Sequence, residues 1–390
     1  MNVASLTVEG HVEPQFAPVL DAFVANFERG SEVGAAIAVY HRGSLVVDLA
    51  AGMRDRTSDT PYTRETLQAV FSVTKGMTAL AANMMVDQGN LDLNAPVASY
   101  WPEFAQAGKS TIPVEWLLTH RSGVLGLDRK ISLEELLDWK FVVKLLAAQA
   151  PDWEPGSQRG YHSLTFGFLV GEVIRRVTGW SVGQYLAREI AGPLDADLFI
   201  GLPKNEEARV APALLPQVDQ SKQVLADSGP YATRVLNWVV PAVTPAAMNR
   251  RDVRAAEIPA ANGIANARSL ARVFASMVGP VDGIQSLSAE GMNRARREQW
   301  RGPDAVMGVD NAVGLGFLLP TRWCPLGGPG SFGIAGFGGS RAWANPELEL
   351  AFAYLPNLCS LGHCDGREVA LSRAVITSAT WQLAMNSAVK

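Results

Sequence analysis

The 390 residues hold few cysteines, few histidines, no long apolar run and no surplus of one charge. Each shortage closes off a class of function. The three cysteines, Cys324, Cys359 and Cys364, are an odd number and too few for a disulfide scaffold. Cys359 and Cys364 are near enough in sequence to pair, but buried free thiols are the expectation. His11, His41, His120, His162 and His363 are dispersed. No Cys/His group has the spacing of a zinc site, so no metal and no other cofactor is assigned. A net charge of −4 with mixed signs leaves no basic patch for nucleic acid. No stretch approaches the roughly 18 apolar residues of a membrane span. The N-terminus lacks the basic start and apolar stretch of a secretory signal, so a cytoplasmic location is expected. Nothing in the pattern fixes an oligomeric state.

What is present is a globular composition, 48% hydrophobic and 18% charged, enough for one large domain or two interleaved ones. Residues 15–28 carry an amphipathic stripe of Phe16, Val19, Leu20, Phe23, Val24 and Phe27, which predicts a helix. Ala35–Tyr40 and Leu45–Ala50 read as a hairpin turned at residues 41–44. Leu67–Phe71 leads into a helix that Gly89 ends. The middle reads as helical. A capping box at Ser132–Glu135 opens a helix to about Gln149, and Ser163–Thr178 follows a Pro-Gly loop and stops at Gly179. Residues 200–260 read as long irregular connections. Strand patterns return at Gly314–Leu319, Phe332–Ala335, Arg341–Ala344 and Leu350–Leu355, and a helix over Arg367–Met385 closes the chain. The order predicts an α+β fold, an antiparallel sheet flanked by the terminal helices. Residues 1–80 and 250–390 would build that layer, with 81–249 a helical insertion.

The segment richest in chemistry is Phe71-Ser72-Val73-Thr74-Lys75-Gly76. Residues i and i+3 share a helix face, so the Lys75 amine can reach the Ser72 hydroxyl. A serine becomes a nucleophile when a neighbouring base takes its proton. Lysine serves as that base when burial depresses its pKa. A second copy of the pattern, Ser387-Ala388-Val389-Lys390, ends the chain with no following tyrosine or strand.

The order of segments resembles the serine β-lactamases and penicillin-binding proteins, and within them the family VIII carboxylesterases. Leu117-Leu118-Thr119-His120-Arg121-Ser122-Gly123 is close to that group's L-L-T-H-T-S-G stretch. Pro155-Gly156 through Gly160-Tyr161-His162-Ser163 resembles its P-G…Y-x-[NS] segment. The resemblance implies a β-lactamase-like fold and a serine hydrolase acting through an acyl-enzyme on Ser72. Lys75 and Tyr161 would handle protons, with a cationic Lys75 holding the phenol at lowered pKa. The backbone N–H groups of Ser72 and Phe337 would form the oxyanion hole. Ile334-Ala335-Gly336-Phe337 departs from the K-T-G of penicillin-recognising relatives. Ile334 carries no charge to receive a carboxylate, so small neutral esters are the expected substrates. Ser163, His162, Ile334, Gly336 and Arg341 are candidate substrate contacts, with His162 also readable as a loop residue and Arg341 as a solvated one. Tyr231, Trp238 and Phe317 are candidate pocket aromatics. Acyl transfer to an alcohol or amine, weak β-lactamase or D-amidase activity, and a non-catalytic binding role are the alternatives.

Overall fold

The computed structural model describes residues 6–57, 59–216, 228–238, 244–360 and 365–388. Cys364 and Lys390 lie outside them, and with them the possible Cys359–Cys364 pair and the end of the C-terminal S-x-x-K copy. The chain begins with strands β1 (Val8–Val12), β2 (Gly34–His41) and β3 (Ser44–Gly52). Next come β4 (Leu67–Phe71), β5 (Leu198–Phe199), β6 (Val210–Ala211) and β7 (Gly263–Ala265). The last are β8 (Trp300–Pro303), β9 (Asp310–Val313), β10 (Leu318–Leu319), β11 (Phe332–Ala335), β12 (Arg341–Asn345) and β13 (Leu350–Pro356). A nine-stranded antiparallel sheet runs β1-β3-β2-β13-β12-β11-β10-β9-β8. The two ends of the chain meet in it where Val39 stands opposite Phe352.

The strands sort their residues by face with a period of two. Ile37 and Val39 of β2 and Phe352 and Tyr354 of β13 join Phe16, Val19 and Phe23 in one core cluster. Helices α1 (Ala17–Glu28) and, at the far end, Gly366–Ala388 cover that face. The alternate residues, Ala36, Ala38, Ala351 and Ala353, face the main core. These small side chains let the helix Ala267–Val278 pack on the sheet. Helices used below are α2 (Val73–Asp87), α3 (Thr165–Thr178), α4 (Ala267–Val278) and α5 (Gly366–Ala388).

The architecture is α+β, and the details refine the sequence reading. Of the expected strand Gly314–Leu319 only Leu318–Leu319 is extended, as β10; residues 314–317 are a tight turn after β9, closed by Gly314 N–H donating to Phe317 O at 2.9 Å. Gly316 sits at φ 86 with no room for a side chain, since a Cβ would fall 2.3 Å from Ala79 Cβ on α2. The expected helix over residues 132–149 breaks at Asp138, which caps a separate segment, Trp139–Ala148. β1 and β8, edge strands with exposed polar positions, were not foreseen. In the irregular 200–260 region β6 lies parallel to β4, and on either side of that region β5 joins β7. Among the described residues no helix is long and apolar enough to cross a membrane, and no group of acidic, His or Cys residues could hold a metal ion.

Candidate active site

β4 leads into Ser72. Phe71 closes the strand at φ 47, a strained conformation for a bulky residue. It throws the chain abruptly into α2, with Ser72 at the N-cap. The Ser72 side chain makes no capping bond. Its Oγ instead accepts a hydrogen bond from Tyr161 OH at 2.6 Å and lies 3.3 Å from Lys75 Nζ. One helical turn produces the second distance; the first closes a loop of almost ninety residues.

Lys75 is 1% exposed. Burial holds its amine well below the ordinary lysine value, and the groups it bonds among the described residues, Ser72 Oγ and Ala260 O, are neutral. Nζ donates to Ala260 O at 2.8 Å and lies 4.6 Å above the Tyr161 ring centroid, a cation–π distance should it gain a proton. The Ala260 carbonyl arrives because Gly167 of α3 lacks a side chain: a Cβ there would sit 2.6 Å from Ala260 N. The Tyr161 phenol is pushed up to about 12 by burial, opposed by its bond to Ser72 and by the Arg159 charge. This overturns the expectation of a phenol acidified by a lysine cation. Desolvation disfavours both charged forms, the ammonium of Lys75 and the phenolate of Tyr161. An uncharged amine beside a serine hydroxyl is a competent proton acceptor.

These groups open into a cavity of about 40 Å³ lined also by Ile334, Leu118, His120, Arg159, Phe317 and Leu318. Ile334 and Phe317, both singled out in the sequence, line this cavity. Trp238 and Tyr231 do not line this cavity. Gly336 lies beside it, where a Cβ would fall 2.5 Å from Val70 O. That contact seats the turn Phe337–Gly339 against the end of β4, with the Phe337 and Phe71 rings 5.3 Å apart. Among the described residues the Phe337 N–H, first of that turn, meets no acceptor. The turn is braced from behind, where Gly338 O accepts from Arg367 Nη2 at 3.1 Å and from Ser360 N–H at 3.2 Å. Arg367 is itself held by Asp365 and Glu32.

Three candidate contacts are placed elsewhere. His162 is fully buried, one ring nitrogen 2.9 Å from Ser122 Oγ and the other 2.6 Å from Gly160 O, with burial lowering its pKa to about 4. It braces the tyrosine loop and does not line the cavity. Arg341 is neither solvated nor in the cavity. It lies opposite Tyr354 on the terminal-helix face, paired at 3.0 Å with Glu368 of α5. Ser163 stands in the turn ahead of α3, outside the cavity lining.

His120 carried no role in the sequence reading, although it sits in the quoted L-L-T-H stretch. It is 6% exposed, at φ 61, and its Nδ1 accepts the His162 backbone N–H at 3.1 Å. Burial and the neighbouring Arg159, His162 and Lys75 hold it far below the ordinary histidine value. With Nδ1 taken up by that bond, the ring stands at the cavity wall.

The sequence profile of the β-lactamase family matches residues 20–367. Esterase/beta-lactamase LipL of Mycobacterium tuberculosis (strain ATCC 25618 / H37Rv) is 37% identical over 368 residues, covering 91% of this chain and 84% of that one. The crystal structure of a family VIII carboxylesterase superposes with a TM-score of 0.87 at 38% identity, covering 95% of this chain and all of the other. A penicillin-binding protein homologue from Caulobacter crescentus gives 0.85 at 37% identity, again covering 95% of this chain and 100% of that one. This chain belongs to the β-lactamase family and is a carboxylesterase of the family VIII type.

Proposed function

We propose that the enzyme hydrolyses small neutral carboxylic esters through an acyl-enzyme on Ser72. The observation that carries this is the Ser72 Oγ held between Tyr161 OH at 2.6 Å and Lys75 Nζ at 3.3 Å. As Oγ attacks the ester carbonyl, the neutral Lys75 amine takes its proton. The Ser72 and Phe337 N–H groups receive the developing oxyanion, where such donors are each worth about 10²–10³ in rate. Tyr161 then gives its proton to the departing alkoxide, and the Lys75 ammonium beside it neutralises the phenolate. Water attacks the acyl-enzyme by the same route reversed, leaving acid and free serine. Ile334 in the cavity wall supports uncharged acyl groups: it offers a carboxylate neither charge nor hydrogen bond, and missing polar recognition discriminates strongly in such pockets.

Hydrolysis of p-nitrophenyl acetate and butyrate, with nitrocefin as the comparison and Ser72→Ala as the control, tests the reading. Ester turnover should fall to background in Ser72→Ala, and nitrocefin should be a far poorer substrate. Wild-type turnover no faster than the variant's would sink the nucleophile, and nitrocefin turnover matching the esters' would sink the preference. Added alcohol competing with water as acceptor separates hydrolysis from acyl transfer.

A further inference from the structure

Asp304 has no motif around it, yet its carboxylate is among the most heavily bonded groups near the site. It is 1% exposed and belongs to the connection between β8 and β9, at the edge of the large sheet. Part of its work is local. Oδ1 accepts the N–H groups of Val306 and Met307, both at 2.9 Å, the usual task of an aspartate in a turn. Asp304 N–H reaches Val309 O at 3.0 Å, closing the turn.

The remaining bonds are of another kind. The same Oδ1 accepts the Tyr161 backbone N–H at 3.1 Å, and Oδ2 accepts from Arg159 Nη1. Arg159 is 2% exposed and shares the cavity wall with Tyr161. The main chain repeats the attachment, Ala305 N–H donating to Arg159 O at 3.0 Å. A turn satisfying only itself needs none of these partners, which lie some 145 residues away in sequence. Tyr161 has no regular element to hold it: it precedes the first turn of α3 in a Pro-Gly loop. The two charges also bear on the phenol in opposite senses, Arg159 lowering its pKa and Asp304 raising it.

We infer that Asp304 is a positioning residue for Tyr161, fixing the tyrosine's backbone and the flanking Arg159 guanidinium so that the phenol meets Ser72. The inference rests on the proton-transfer role proposed for Tyr161. A displacement near 1 Å costs about 10²-fold in rate, so Asp304→Ala should lower kcat about 10²-fold and move KM by less than about threefold. Asp304→Asn keeps an acceptor for the three N–H groups and should lose less, about 10-fold.

The decisive experiment is a double-mutant cycle on p-nitrophenyl acetate, using Asp304→Ala, Asp304→Asn and Tyr161→Phe, with the fold of each variant checked by circular dichroism. Residues acting as a unit are non-additive. Removing Asp304 should therefore cost almost nothing further once the phenol is gone. If Asp304→Ala fails to fold, the Asn variant carries the same cycle. Equal fold-losses in the wild-type and Tyr161→Phe backgrounds, or an Asp304→Ala enzyme within threefold of wild type, would overturn this inference alone. A Tyr161→Phe enzyme with undiminished kcat would overturn the role of the tyrosine, and this inference with it.

Discussion

Replacing Gly336 by alanine tests the oxyanion arrangement without touching a reacting group. Gly336 has φ −105 and ψ 150, which alanine adopts freely, so any effect is steric. The new Cβ would meet Val70 O at 2.5 Å, with Ser340 Cβ and Val73 Cγ2 at 3.1 and 3.2 Å. Relief to the ordinary contact of 3.4 Å means parting the Phe337 turn and the end of β4 by about 0.9 Å. The strand end is covered by the core, and the turn is tied through Gly338 O to Arg367 and Ser360. The Phe337 N–H therefore moves relative to Ser72, which costs between the 10² of a 1 Å misplacement and the 10³ of a lost donor. Overpacking of this kind also costs stability, about 1–3 kcal/mol. Burst kinetics with p-nitrophenyl acetate should show acylation and deacylation slowed together, because both pass through an oxyanion, with KM nearly unchanged. A kcat within threefold of wild type, or a change confined to KM, would refute the placement of the hole.

Two further outcomes are expected. Burial holds Lys75 well below its ordinary value, so it gives up its proton in the folded protein at a pH where the unfolded chain keeps it. Unfolding then binds a proton, and stability should rise with pH between the two values, by up to about 1.4 kcal/mol per unit. Lys75→Met should abolish turnover, raise Tm at neutral pH and remove that slope; a Tm series across neutral to alkaline pH that keeps the wild-type slope would count against a buried neutral amine. Ile334→Ala enlarges the cavity beside Ser72 and should shift preference among p-nitrophenyl esters toward longer acyl chains, at a stability cost of about 2–5 kcal/mol. An unchanged chain-length profile would remove Ile334 from the acyl site.

The parts of the fold and site that could be read early share a local cause. Ser72 and Lys75 meet because a helix turns every 3.6 residues, and the alternating faces of β2 and β13 follow from the pleat. Tyr161 was reachable only through the resemblance of its P-G…Y-x-S segment to the family's. Arg341 misled because two residues beyond Gly339 sounds close, whereas its register opposite Tyr354 turns it to the other side of the sheet. Asp304 and Arg367 gave no sequence signal, since their value lies in backbone groups far along the chain, and a carbonyl or amide has no letter of its own. The direction of the Tyr161 shift was missed for a related reason: the burial that raises it belongs to the whole core.

The pairing of β2 with β13 sets a schedule for biosynthesis. β2 and β3 form a hairpin early, but the open edge of β2 waits for a partner synthesised roughly 310 residues later. At about 5–20 residues per second this leaves a long apolar strand uncovered for roughly 15–60 s on the ribosome. Such an edge invites pairing with other chains, and sheets closed by distant partners fold slowly. Recombinant yield should therefore depend on translation speed and chaperone supply more than the finished protein's stability suggests.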